Sequence, residues 1–129
     1  MTTTEVYKAF PVRYMEEVFN QRKFEVLDEL FTPSILGRIK QSTLPFLAAF
    51  PDWHGTVDDI MVDGDKVINR WSGHGTNTAS LMGMPPTGKA VTMTGITIFR
   101  ISGNKIVEEW TEANQLGLMQ QLGVIPGAR

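Results

Sequence analysis

The chain has 129 residues, with 12 Lys and Arg against 14 Asp and Glu, a formal charge of −2 and no cysteine. A chain of this length fits one domain over residues 1–129, in which roughly two-thirds of the unfolded surface can be buried, enough for one core and an internal cavity. The charge balance leaves no basic stripe to neutralise a series of phosphates, which disfavours nucleic-acid binding, and the lack of cysteine excludes disulfides, a thiolate nucleophile and a cysteine zinc site.

The first residues, Met-Thr-Thr-Thr-Glu, have neither the basic start nor the apolar core of a signal peptide, and no run of about eighteen apolar residues occurs. The expectation is a cytoplasmic protein with no membrane partner. From Thr4 to about Asn20, Val6, Phe10, Tyr14, Val18 and Phe19 recur at helical spacing, with Met15 beside them and Glu5, Arg13, Glu16 and Glu17 elsewhere. Thr3 or Thr4 is a suitable cap, and Pro11 predicts a kink or a delayed start of the main helix. A short helix is predicted from Phe24 to Phe31, ended by Thr32-Pro33, and a third from Ser42 to Phe50, stopped by Pro51.

After Pro51 the pattern becomes extended. Val57–Val62 and Val67 to about Thr76 flank the turn Asp63-Gly64-Asp65, and Val91–Ile101 pairs with Lys105–Ala113 across Ser102-Gly103-Asn104. The prolines of Met82–Lys89 keep that linker out of the ladder, and it is expected to lie over a pocket rim. It is not a phosphate loop, since it lacks the upstream glycine and the following Ser or Thr. Leu116–Leu122 closes the pattern as a helix, and the tail Pro126–Arg129 is expected to be loose. Helices followed by a curved antiparallel meander define an α+β fold with the helices on the concave face.

Strand alternation puts Ile106, Glu108, Trp110, Glu112 and Asn114 on one face of the last strand. That face starts apolar and becomes polar, as a pocket wall would, or as a sheet edge whose polar residues meet water.

The segments Phe50-Pro-Asp-Trp-His54, Gly64-Asp-Lys-Val67, Met84-Pro-Pro-Thr-Gly-Lys89, Thr94-Gly-Ile96, Phe99-Arg-Ile101, Lys105-Ile-Val-Glu-Glu-Trp110 and Leu116–Gly123 resemble the SnoaL-like polyketide cyclase family of the nuclear transport factor 2-like superfamily. The resemblance implies a cone-shaped α+β barrel around an apolar pocket, in a homodimer packed through the outer sheet face. It also implies ring closure of a polyketide ester by intramolecular aldol condensation, with no metal or organic cofactor. The sequence departs from the family where the chemistry lies. The pocket Asp that follows the strand tryptophan by four residues is here Asn114, the frequent family His is Asn77, and the stretch between Phe31 and Phe50 is short and lacks histidine.

An amide cannot transfer a proton at neutral pH. Asn114 can instead donate a hydrogen bond to an enolate oxygen, or cap the following helix through its side-chain oxygen. A base has to come from Glu112, beside Trp110, or from Asp52 and His54, which share a face if Pro51–Thr56 is extended and otherwise form a solvated turn. His74, between two glycines, reads as a surface or interface residue. Trp110, Tyr14, Phe46 and Met93 are the candidates to line a site for a small apolar or aromatic molecule, while most other aromatic and Met side chains are core. Arg100 is expected to pair with Glu108 on the inner face, in a ligand-binding or a structural role. Apolar residues on the outer faces of the last strands, Val107 and Phe99 among them, would need a cover, for which a second copy is a candidate.

Overall fold

A computed structural model of the chain describes residues 2–126. The expected loose tail falls largely on residues 127–129, outside the described residues. The first helix, α1 (Thr3–Arg13), is capped one residue earlier than expected, by Thr2, whose hydroxyl accepts from the Glu5 N–H at 3.1 Å. Pro11 lies inside α1 without ending it. The chain runs directly into a π-helical segment, Tyr14–Asn20, where the Gln21 N–H donates to the Glu16 carbonyl five residues back at 3.0 Å. This wider turn brings residues five apart together: the rings of Tyr14 and Phe19 meet edge to face at 4.9 Å.

Helix α2 (Val26–Leu30) is short, and α3 (Pro33–Ala49) is far longer than the sequence pattern predicts. Thr32-Pro33 starts α3 as much as it ends α2, because proline at a first helical turn gives up no bond and is already set at helical φ. Pro45 is also accommodated within α3.

Four strands follow, β1 (His54–Asp63), β2 (Lys66–Thr76), β3 (Ala90–Ser102) and β4 (Lys105–Ala113), antiparallel in the order β1-β2-β3-β4, and α4 (Gln115–Leu122) closes the chain. The fold is the α+β cone that the sequence implies. Ser102 pairs with Lys105, so the β3–β4 turn has two central residues, Gly103 and Asn104, rather than three. Both have positive φ, 57° and 62°, as a type I′ hairpin requires.

The inner face of the sheet carries Val67, Asn69, Trp71 and Gly73 from β2 and Met93, Gly95, Thr97, Phe99 and Ile101 from β3. Phe99 is 1 % exposed and belongs to this face, not to the outer face expected for it. Two apolar clusters form against the sheet. One joins Phe10, Val18, Leu27, Leu30, Phe31 and Ile39 to Val67, Phe99, Ile101 and Ile106, and the other joins Leu47, Phe50, Trp53, Val91 and Met93 to Leu118 and Leu122 of α4. The Trp53 ring lies so close over Gly73 that a Cβ there would stand 2.1 Å from it. Gly37 in α3, by contrast, has no atom within 4 Å of the corresponding position.

These two glycines predict opposite outcomes. Gly73→Ala should lower the stability of the protein by about 1–3 kcal/mol through overpacking, while Gly37→Ala should raise it by about 1 kcal/mol through helix propensity. Urea unfolding midpoints of the two variants check both signs.

Candidate functional site

Where the two clusters meet, the interior holds a cavity of about 390 Å³. Its walls come from the π segment (Tyr14, Met15, Phe19), from α3 (Arg38, Ser42, Thr43, Phe46), and from the inner faces of β2, β3 and β4. Tyr14, Phe46 and Met93, singled out in the sequence, border it, together with Trp53, Trp71 and Phe99. The linker before β3, expected over the rim, contributes no wall residue.

Trp110 is not part of the cavity, and the reason lies in the β3–β4 ladder. Arg100 faces Glu108 but Ile101 faces Ile106, so Val107 is an extra residue, a β-bulge. A bulge reverses the alternation beyond it. Ile106 points inward, and after Val107 the inward set becomes Glu109, Thr111 and Ala113, all bordering the cavity. Trp110 stands on the outer face, 45 % exposed. Arg100 does pair with Glu108, as expected, but on the outer face, with Asp65 nearby at 3.9 Å.

The other sequence candidates are placed as follows. Glu112 borders the cavity but is exposed. Asn114 is the N-cap of α4: its Oδ1 accepts from the Gly117 N–H at 2.9 Å, and it does not line the cavity. Asn77, 1 % exposed, serves the linker. Its amide donates to the Ala79 carbonyl at 2.8 Å and its Oδ1 accepts from the Thr87 N–H at 2.8 Å. Asp52 accepts from the Thr76 N–H at 2.7 Å and from its hydroxyl at 2.8 Å, and these bonds hold its carboxyl below the usual range. His54 pairs with His74 across β1 and β2, ring centroids 5.9 Å apart, with both residues exposed. Neither Asp52 nor His54 reaches the cavity.

The carboxylate that does reach it inside the fold is Glu109, with a side chain 13 % exposed. Burial pushes its carboxyl above the ordinary glutamate value, opposed by the charge of Arg38 and by hydrogen bonding from Thr111 and Arg38. Arg38 Nη1 lies 3.7 Å from Glu109 Oε1, and its own side chain is 56 % exposed, so the pair is loose and wet on one side. On the opposite wall the Tyr14 hydroxyl shares a 2.7 Å hydrogen bond with Thr43 Oγ1. Burial raises its pKa, so Tyr14 is a neutral donor rather than a base. Across the sheet, Trp71 Nε1 donates to Thr97 Oγ1 at 3.0 Å, which is 2.9 Å from Thr111 Oγ1. Among the described residues no cluster of three His, Asp or Glu is placed to hold a metal ion.

Sequence reasoning missed Glu109 because the count of faces ran through Val107 without a break. The signal is present all the same: Ile106-Val107 followed by Glu108-Glu109 does not alternate, which is what a bulge does to a strand pattern. Arg38 lies before the predicted start of α3 at Ser42, although Arg38, Ser42 and Phe46 recur at four-residue spacing.

Helices packed on a four-stranded curved antiparallel sheet around a cavity with one inward carboxylate define a nuclear transport factor 2-like fold. The chain matches the SnoaL-like polyketide cyclase family over residues 10–122 and belongs to it. Solved structures are similar throughout. TsrD of Streptomyces laurentii shares 21% identity at a TM-score of 0.87, over 97% of this chain and 100% of that one, a likeness of fold. AclR of Streptomyces galilaeus, a proposed hydroxylase, shares 25% at a TM-score of 0.88, over 98% and 87%. IdmH of Streptomyces antibioticus, a proposed polyketide cyclase, shares 28% at a TM-score of 0.77, over 91% and 98%. No curated protein sequence matches the chain.

Glu109 carries a stability cost with a definite sign. Its folded pKa is raised, so its favourable contribution is complete below the ordinary glutamate range and is lost as the pH rises through the folded value. Glu109→Gln is therefore expected to raise the Tm at neutral and alkaline pH, with the gain shrinking as the pH falls into the ordinary glutamate range. A series of calorimetric scans against pH checks this; a gain that does not vary with pH contradicts it.

Proposed function

We propose that the protein takes a small apolar, carbonyl-bearing molecule of the polyketide class into this cavity and closes a ring on it by acid/base chemistry at Glu109. The observation that carries this reading is the placement of Glu109: a carboxyl inside an apolar cavity, raised by burial towards the range where it can both take and return a proton. In the step, the Glu109 carboxylate removes a proton from the carbon between two activating groups, and the electron pair moves onto the neighbouring carbonyl oxygen as an enolate. The enolate carbon attacks a second carbonyl of the same molecule. The new alkoxide takes the proton back from Glu109, so the product is an isomer of the substrate and the carboxylate is regenerated. The Tyr14 and Thr43 hydroxyls share one hydrogen bond, which leaves the other hydroxyl proton of the pair to donate to oxygen as charge develops, such a donor being typically worth a few kcal/mol in the transition state.

A binding role without turnover is the second reading, and Asn114 favours it: the position of the family's pocket Asp holds an amide, committed to capping α4. Native mass spectrometry of gently purified protein, followed by a panel of aromatic polyketide esters with product masses monitored over time, separates the two. Conversion by the wild type and by Glu112→Gln, but loss of at least about 100-fold in Glu109→Gln, is expected from removing a general base. Loss in Glu112→Gln alone would move the base to that exposed residue. Saturable binding with no product in any variant would leave the binding role.

The reading includes a homodimer formed through the outer sheet face. Met61, Ile68, Ile98 and Trp110 are in register across all four strands, forming an apolar row. Met61 is 62 % and Trp110 45 % exposed. The row runs between ion pairs on the same face, Asp59 with Arg70 and Glu108 with Arg100, an arrangement suited to a second copy with an apolar centre and a polar rim. Light scattering on the wild type should give twice the chain mass, and Trp110→Glu should give the monomer with an unchanged far-ultraviolet spectrum. A monomeric wild type would rule out this contact.

A further inference from the structure

Trp71, on the inner face of β2, lays its ring over Gly95, its partner on β3, where a Cβ would stand 2.3 Å from the ring. The ring is thus held by the absence of a side chain opposite it, and its Nε1–H donates to Thr97 Oγ1 at 3.0 Å. An indole N–H can only donate. Thr97 is 6 % exposed, so its own proton needs an acceptor inside the fold. Among the described residues the other hydroxyl in reach is Thr111 Oγ1, 2.9 Å away on β4. Once the indole fixes the sense of the first bond, Thr97 donates to Thr111, and the proton of Thr111, an exposed residue at the cavity wall, is left free to point into the cavity. Thr111 lies two residues beyond Glu109 on the same cavity face of β4.

We propose that Trp71 is a positioning residue for this site, setting the direction of a relay from Trp71 through Thr97 to Thr111 whose last proton is presented to the Glu109 carboxylate. The inference rests on the reading of Glu109 as the base. A buried carboxyl tends to remain protonated and so to be useless for proton abstraction, and a donor aimed at it favours the ionised form. The relay therefore sets how much of Glu109 is available as base at a given pH. Among the described residues the other titratable or charged groups lining the cavity are Tyr14 from the π segment, Arg38 from α3 and Glu112 from β4. Arg38 acts on Glu109 by charge from the wet side, and none of the three belongs to the relay.

The test is a direct titration of the Glu109 carboxyl carbon by NMR in protein labelled at the glutamate carboxyls, with the signal assigned by its loss in Glu109→Gln. Thr111→Val and Trp71→Phe are expected to move the Glu109 midpoint to higher pH, while Thr111→Ser, which keeps the hydroxyl, titrates as the wild type does. Thr97→Val severs the relay with the indole still in place and should shift the midpoint in the same direction, which keeps the proposal testable if Trp71→Phe does not fold. Unchanged midpoints in Trp71→Phe and Thr97→Val, with or without a shift in Thr111→Val, would overturn the role of Trp71. The acid limb of the pH–rate profile should follow the NMR midpoint from variant to variant. If Glu109 is not the base, Glu109→Gln keeps its turnover while the titration still reports on the relay, so the two ideas fail separately.

Discussion

One residue too many in β4 decides what this fold can do. Between the Ile101–Ile106 and Arg100–Glu108 pairs the ladder must absorb Val107, and the price is one unpaired position near the hairpin. Everything beyond it is turned over. Without the bulge, Trp110 and Glu108 would share the inner face with Ile106, and Glu109 would meet water. With it, a carboxylate enters the cavity, a tryptophan is set on the outer face, and the Arg100–Glu108 pair becomes a surface clasp. Bulges are concentrated at barrel rims and beside active sites because they re-aim side chains without changing the path of the sheet.

The cavity itself follows from how the core is divided. The helices pack as two clusters rather than one, and the inner face between them carries Asn69, Thr97, Gly95 and Gly73 in place of large apolar residues. The tryptophans fill part of that space by lying flat over the glycines. The rest stays open, lined in part by two hydroxyl pairs, Tyr14 with Thr43 and Thr97 with Thr111. A polar network of this kind is tolerable inside a protein only when its members are satisfied, and then it fixes geometry. Glu109 is the exception, a carboxyl that the fold would accept more readily if neutral, as groups placed for function often are.

Asn114 and Glu109 show how two polar side chains near one strand end are put to different structural uses. The Asn side chain is used at the start of α4, where an unpaired N–H requires an acceptor. The inward carboxylate, Glu109, lies five residues earlier, on the cavity wall. Glu109 lies within β4 and Asn114 directly follows that strand, so a single stretch of chain carries the inward carboxylate and anchors the helix that closes the second cluster.

The sequence by itself determined the α+β class, three of the four strands to within a residue and β1 except for its first three residues, the closing helix and the family, because turn residues and a change of hydrophobic period act over a few neighbours. It also located Tyr14, Phe46 and Met93, whose positions follow from helical spacing and from an unbroken alternation in β3. It did not determine the long α3, where Thr32-Pro33 can end one helix and begin the next, or the π segment, whose five-residue bonding leaves no mark on a three- and four-residue pattern. The tertiary structure alone decided which face Glu109 and Trp110 occupy. A bulge is settled by which register lets Ile106 join the core and Arg100 meet Glu108 at once, and that balance is struck between strands and helices distant in the chain, beyond what any local count of alternation contains.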